Sequence, residues 1–197
     1  MILQRLVSVV LASRSPRRIE LLRSLGLEVV VRPSAYGEGE VAGLEARELA
    51  VYHAREKARD VAETIDETAP LVVAADTIVD LDGRLFGKPT DVEEAAAMLW
   101  ALSGRTHQVH TGYCLYDRRA GERSGCVTTN VTFVTLREEQ IREYIATGEP
   151  MDKAGAYGIQ GRGALLVDRI EGDFYAVMGL PLATLARECE AMGYRLL

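Results

Sequence analysis

Residues 71–75, LVVAA, form an unbroken apolar run that ends in an acid, Asp76. Side chains of a strand alternate between two faces, so a short run of this kind is apolar on both and needs cover on both. It reads as a buried central strand ending at Asp76. A chain built around such a strand has to be layered, with helices laid against a sheet.

The remaining patterns supply those layers. Leu6–Ala12 is apolar and β-branched and reads as a first strand. Ser15 and Pro16 then have the chemistry of an N-cap and a first helical residue, Ile19, Leu21, Leu22 and Leu25 give the apolar stripe, and Gly26 gives the stop. LEVVVR is a second strand, 33–43 a loop holding Glu38 and Glu40, and 44–63 a long amphipathic helix. TIVDLDGRLFG alternates about Asp82-Gly83, a hairpin signal. A helix over 90–104 is expected, with Thr90 and Glu93 spaced as a capping box. Strands over 106–116 and 126–135 flank a polar turn near Gly121, and a helix over 136–147 closes at Gly148. The glycine-rich GAYGIQGRG precedes a strand ALLVDRI, and a last helix begins near Pro181. Interleaved strands and helices, with hairpins among them, make the class α/β with a mixed sheet.

Charge narrows the function. The formal net charge is −6, which argues against a broad surface for a nucleic acid polymer. No run approaches the roughly 18 apolar residues of a membrane span. Cys114, Cys126 and Cys189 are too scattered for a disulfide framework or a zinc motif, which suits a cytoplasmic location. Within this acidic chain, Arg14, Arg17 and Arg18 crowd the start of one helix. Cations there oppose the helix dipole, at a cost of some tenths of a kcal/mol; a bound phosphate reverses that balance, and a solvated helix start is the other reading.

Asp76 at the end of a buried strand is either a turn cap with Thr77 or a desolvated carboxylate wanting a metal or a proton to move. Glu38 and Glu40 are either solvated or a source of a second oxygen ligand for an ion shared with Asp76. Lys57 in REKARD reads as one charge on a solvated helix face. Lys88 precedes Pro89, so its segment is extended and its ammonium could reach a phosphate. His107 and His110 stand three apart on a strand and so point to opposite faces, which excludes a shared zinc ion. GIQGRG is neither a Walker A loop nor a dinucleotide fingerprint; it looks like a loop whose backbone approaches a ligand, with Gln160 its one amide side chain.

LASRSPRRIELL, REKA, AADTIV, GKP, LSGRTHQVHTG, DKAGAYGIQG and VMGLP, in this order from residue 11 to 181, together resemble the Maf proteins, nucleoside triphosphate pyrophosphatases historically linked to septum formation. The resemblance implies one Maf-like domain over 1–197, with an elongated mixed-sheet fold of two lobes and a central cleft like that of the inosine-triphosphate pyrophosphatases. It implies cleavage between the α and β phosphates of dTTP and UTP, a divalent cation (Mg²⁺ or Mn²⁺), and a homodimer, common in the family. Carried over motif by motif, Asp76 is the catalytic acid residue. Arg17, Thr77 and Gln160 match positions tied to substrate choice. Ser13, Arg18, Glu38, Lys57 and Lys88 match pocket positions, with Glu38 and Asp76 as metal ligands. Gly37 stands where the family commonly has an acid.

The chemistry of the residues agrees with that activity. A triphosphate carries about four negative charges, which suits paired arginines and two lysines, and attack on phosphorus needs neutralisation and an oriented water. An ordinary carboxylate is a poor base at neutral pH, so whether Asp76 takes the proton or holds the metal stays open. The sister subgroup acting on 7-methylguanosine triphosphate and a non-catalytic nucleotide-binding regulator of septum formation are the alternatives.

Overall fold

The computed structural model describes residues 3–39, 41–66 and 71–196. In chain order the elements are β1 (Gln4–Arg5), β2 (Ser8–Leu11), α1 (Pro16–Ser24), β3 (Glu28–Val31), α2 (Ala46–Ala62), β4 (Val72–Leu81), β5 (Arg84–Phe86), α3 (Val92–Leu102), β6 (Thr106–Asp117), β7 (Gly121–Phe133), α4 (Glu138–Ala146), β8 (Val167–Glu171), α5 (Phe174–Met178), α6 (Leu182–Ala191) and β9 (Tyr194–Arg195). Strands β2, β3 and β4 pair in parallel, with Val10 opposite Val29's neighbour Val30 and also opposite Val72, while β4–β5 and β7–β8 are antiparallel. The sheet is therefore mixed, and β6 is hydrogen-bonded between β4 and β7. No helix among the described residues is long and apolar enough to cross a membrane.

The chain divides into two compact units, and the division falls between Asp76 and Thr77. The first unit holds Met1–Asp76, Thr111–Val127 and Gly179–Leu197. Its core is made of Val10 of β2, Ala12 just beyond it, and Val72 and Ala74 of β4, with Ala54, Ala58 and Val61 of α2. The buried face of α2 is rich in alanine, and the helix backbone comes close to the sheet: a Cβ on Gly112 would stand 2.2 Å from the carbonyl of Ala50. Gly112→Ala is thus expected to lower stability by about 1–3 kcal/mol, the usual range for overpacking; a denaturant melt with an unchanged midpoint would show that α2 can move away freely.

The second unit holds Thr77–His110 and Thr128–Met178. Leu99, Leu102, Phe133, Ile141 and Tyr157 lie at its centre. His107 is buried there, edge-on to Phe133, and shares a 2.7 Å hydrogen bond through Nε2 with the Tyr157 hydroxyl. Burial holds its imidazole down to about 4, so it is a neutral core residue at neutral pH.

Three elements differ from the sequence reading. The strand through LVVAA does not end at Asp76 but continues to Leu81, so Asp76 stands in mid-strand. Loss of the continuous apolar pattern after Ala75 marks a change from two covered faces to one, not a chain break. The N-cap of α3 is Asp91, whose carboxylate accepts from the Glu94 N–H, and not Thr90. Gly161–Leu166 is a 3₁₀ turn, so only the later part of ALLVDRI is strand. The parallel β1–β9 pair and the short helix α5 had no signal strong enough to read.

Candidate active site

Helix α1 brings the arginines to the first unit's sheet. Ser15 is its N-cap residue, with no side-chain cap; its N–H donates instead to Ser13 Oγ, 3.2 Å away, and Pro16 opens the helix. Arg18 is tied down more firmly than a phosphate ligand needs to be. Its Nε donates to the Gly179 carbonyl at 2.8 Å, and one terminal nitrogen donates to the Ala75 carbonyl at 2.8 Å and to Ser13 Oγ at 3.3 Å. Burial pulls its pKa below the usual arginine value, Asp76 and Glu38 oppose that shift, and Arg17 adds to it. Arg18 therefore fixes the peptide that leads into Asp76 and adds positive charge beside it. Arg17 lies on the same turn and, like Arg18, is half-buried.

Lys57 is the main correction to the sequence reading. It lies on the buried face of α2, 7% exposed, and not on a solvated face. Its ammonium is 2.7 Å from Asp76 Oδ1 and 2.6 Å from Glu38 Oε1. Asp76 is 6% exposed, whereas the Glu38 side chain is 52% exposed. Two carboxylates of different burial thus converge on one cation, and removing a partner of such a buried pair is costly. The charge pattern of REKARD gives no hint of this, and only the Maf resemblance puts Lys57 in a pocket, because a lysine on the inner face of a helix is visible only once the helix is docked.

The loop carrying Glu38 is pinned to the same helix. Asp60 Oδ2 accepts from Ser34 Oγ and from the Ala35 N–H, both at 2.7 Å, and the Tyr36 hydroxyl shares a 3.0 Å hydrogen bond with His53 Nδ1. His53, Lys57 and Asp60 follow one another at helical spacing, so one face of α2 holds the loop and the ammonium together. The Ser34 hydroxyl and the Ala35 N–H hold the Asp60 carboxyl below its usual range, so this anchor persists at neutral pH and is released only as pH falls through that lowered value. Sequence reasoning missed Tyr36, His53 and Asp60. Glu40 lies outside the described residues.

Three expected site residues belong to the second unit. Thr77 is half-buried on β4, Lys88 is exposed just before the buried Pro89, and Gln160 is exposed at the start of the Gly161–Leu166 turn. Cys114 and Cys189 are buried, and burial pushes both thiols up to about 12, which suits packing and not nucleophilic attack.

Among the described residues no group of three or more His, Cys, Asp or Glu side chains is arranged to hold a metal. Among the described residues, Glu38 and Asp76 bring two carboxylates together at Lys57, whose ammonium pairs with one oxygen of each. Two carboxylates completed by substrate oxygens is the donor set that Mg²⁺ ordinarily takes, so the residues fit a hard cation.

The family model described as Maf-like protein matches residues 8–192. A dTTP/UTP pyrophosphatase of Carboxydothermus hydrogenoformans is 47% identical over 95% of this chain and 100% of its own. One of Thermococcus kodakarensis is 50% identical over 88% of this chain and 91% of its own, and one of Bacillus pumilus is 45% identical over 94% and 96%. Among solved structures, a nucleoside-triphosphatase, dITP/XTP pyrophosphatase, of Mycobacterium abscessus aligns at a TM-score of 0.41 and 22% identity, covering 64% of this chain and 74% of that one, a likeness too loose to bear on fold or function. With a family model over nearly its whole length and relatives of this identity, the chain belongs to the Maf-like protein family.

Proposed function

We propose that this chain hydrolyses dTTP and UTP to the nucleoside monophosphate and pyrophosphate. The observation that carries the reading is the buried Lys57 ammonium held between Asp76 and Glu38, with Arg18 bonded to the neighbouring Ala75 carbonyl, in a chain whose relatives are named dTTP/UTP pyrophosphatases. Anionic phosphates repel an attacking oxygen, so cations must offset that charge before reaction. Lys57, Arg17 and Arg18 supply it in the first unit. Asp76 gives Oδ1 to Lys57, and its second oxygen is the acceptor offered to the attacking water. Glu38 and Asp76 would hold Mg²⁺ or Mn²⁺, which when bound adds Lewis-acid polarisation of phosphate oxygens. Thr77, Lys88 and Gln160 are assigned to substrate binding on their motifs, Ser13 supports Arg18, and the working protein is one cytoplasmic Maf-like domain over 1–197 acting as a homodimer.

Gln160 makes the choice of base testable. A neutral amide offers a donor and an acceptor, matching the N3–H and carbonyls of uracil. The 7-methylguanine base carries positive charge and donors at N1 and N2, which a carboxylate suits better. A site built on hydrogen bonds loses roughly 1–3 kcal/mol for each polar group left unpaired. Wild type is expected to release pyrophosphate from UTP and dTTP faster than from 7-methylguanosine triphosphate, and only with a divalent cation present. Gln160→Glu should lower kcat/KM for UTP about tenfold or more and harm the methylated substrate less. A wild type that prefers the methylated purine would overturn the pyrimidine assignment, and absence of pyrophosphate from every nucleotide tried would overturn the enzyme reading altogether.

A further inference from the structure

The turn that carries Gln160 is held from inside the second unit by two residues that the motif comparison gives no role. Helix α4 ends at Ala146, and Gly148 turns the chain with a φ of 74° so that Glu149 faces back toward the glycine-rich segment. One carboxylate oxygen of Glu149 accepts from the Gly163 N–H at 3.2 Å and from the Tyr144 hydroxyl at 3.0 Å; the other accepts from the Arg162 N–H at 3.1 Å. The Tyr144 hydroxyl in turn accepts from the Gly158 N–H at 3.0 Å. Both ends of the segment 158–163 are therefore fastened to one phenol–carboxylate pair.

The glycines explain how that pair enters. A Cβ on Gly161, whose φ is +63°, would stand 2.9 Å from Glu149 Oε2, and one on Gly163 would stand 2.6 Å from the Tyr144 oxygen. A side chain at Gly161 would crowd the Glu149 carboxylate, and one at Gly163 would meet the Gly158 carbonyl oxygen, 2.2 Å from its Cβ, as well as the phenol. Between the fastened ends, Ile159 is buried and Gln160 is exposed, so the amide is presented from a backbone with little freedom. Tyr144 is buried, and burial, together with the Glu149 carboxylate, raises its pKa well above the ordinary phenol value, so its proton stays available for the hydrogen bond.

We infer that Glu149 and Tyr144 are positioning residues that set base selectivity by fixing the turn from which Gln160 presents its amide; the inference rests on the reading of Gln160 given above. A hydrogen-bonding side chain discriminates between bases only if its own position is fixed, and a displacement of about 1 Å can cost far more than one contact. Loosening the turn should therefore erase selectivity before it erases turnover.

The test compares UTP with CTP, which replaces the uracil C4 carbonyl and N3–H by an amino group and a bare nitrogen. The quantities are kcat and KM for both nucleotides in wild type, Glu149→Gln, Tyr144→Phe, Gln160→Ala and the two double variants with Gln160→Ala. The UTP-over-CTP preference in kcat/KM is expected to be about tenfold or more in wild type and to fall toward unity in both positioning variants, mainly through a higher KM for UTP, with kcat within about threefold. In the Gln160→Ala background the same substitutions should change the preference little further, since the side chain they position is gone. A global loss of folded protein would lower both substrates alike and leave the ratio intact. Tyr144→Phe removes a single oxygen and carries the test if Glu149→Gln does not fold. Full selectivity in folded Tyr144→Phe, or an equal additional loss in the Gln160→Ala background, would overturn the inference while leaving the enzyme reading standing. A wild type that makes no pyrophosphate from UTP would overturn the reading beneath it.

Discussion

Purified Asp76→Asn is expected to melt close to wild type and to lose about 10²-fold or more in kcat. The substitution keeps the shape of the side chain. Its amide oxygen can still accept from the Lys57 ammonium, and Lys57 keeps its second partner, Glu38, at 2.6 Å. Arg18 holds the Ala75 carbonyl whichever residue follows it, so the backbone leading into position 76 stays fixed. What disappears is the charge and the second acceptor oxygen that water would use. Steady-state assays on a variant shown to be folded by its melting curve make the comparison. Turnover near wild type would remove Asp76 from the mechanism. A large fall in melting temperature would instead mean that the Lys57–Asp76 pair is chiefly structural.

The sequence foretold elements better than it foretold partners. Apolar period and turn chemistry placed α1, α2 and the Asp82-Gly83 hairpin within a few residues, because each depends on neighbours along the chain. Asp82 and Gly83 do adopt the positive φ values that such a turn needs. The end of β4 was misplaced because burial of a strand changes along its length without any local breaker. The partners of Arg18 and Lys57 were out of reach for a related reason. Arg18 reaches Gly179, 161 residues away, and Lys57 reaches Asp76 only because alanines on α2 and a glycine on β6 let the helix lie close. Such contacts come from docking, and no spacing rule encodes them. The motif resemblance named Arg18, Glu38, Lys57 and Asp76 while leaving open what each one touches. It gave no role to Asp60 or Glu149, which accept hydrogen bonds from the backbone N–H groups of Ala35, and of Arg162 and Gly163.

Lys57→Ala gives the second large effect, and it separates neutralisation from metal binding. In the wild type one ammonium sits against both carboxylates, on a helix face that also pins the Glu38 loop. Taking it away leaves Asp76 buried without its cation and Glu38 facing a like charge. Loss of one partner from a fully buried pair costs about 3–5 kcal/mol. Glu38 is half-exposed and can turn to water, so about 2 kcal/mol is the expected loss here, or roughly 4–8 °C in melting temperature for a chain of this size. The same change makes the carboxylate pair a stronger site for a hard cation, because a competing positive charge has gone. Millimolar MgCl₂ should therefore raise the melting temperature of Lys57→Ala more than that of wild type and recover much of the loss. Turnover of UTP should nevertheless stay about 10²-fold down at saturating Mg²⁺, since the ammonium no longer offsets phosphate charge. The two readouts answer different questions. A variant whose melting temperature ignores Mg²⁺ would exclude Glu38 and Asp76 as metal ligands without touching the role of Lys57. A variant that Mg²⁺ stabilises and that turns over UTP like wild type would make Lys57 a structural clamp, and would leave the arginines of α1 as the cations that meet the triphosphate.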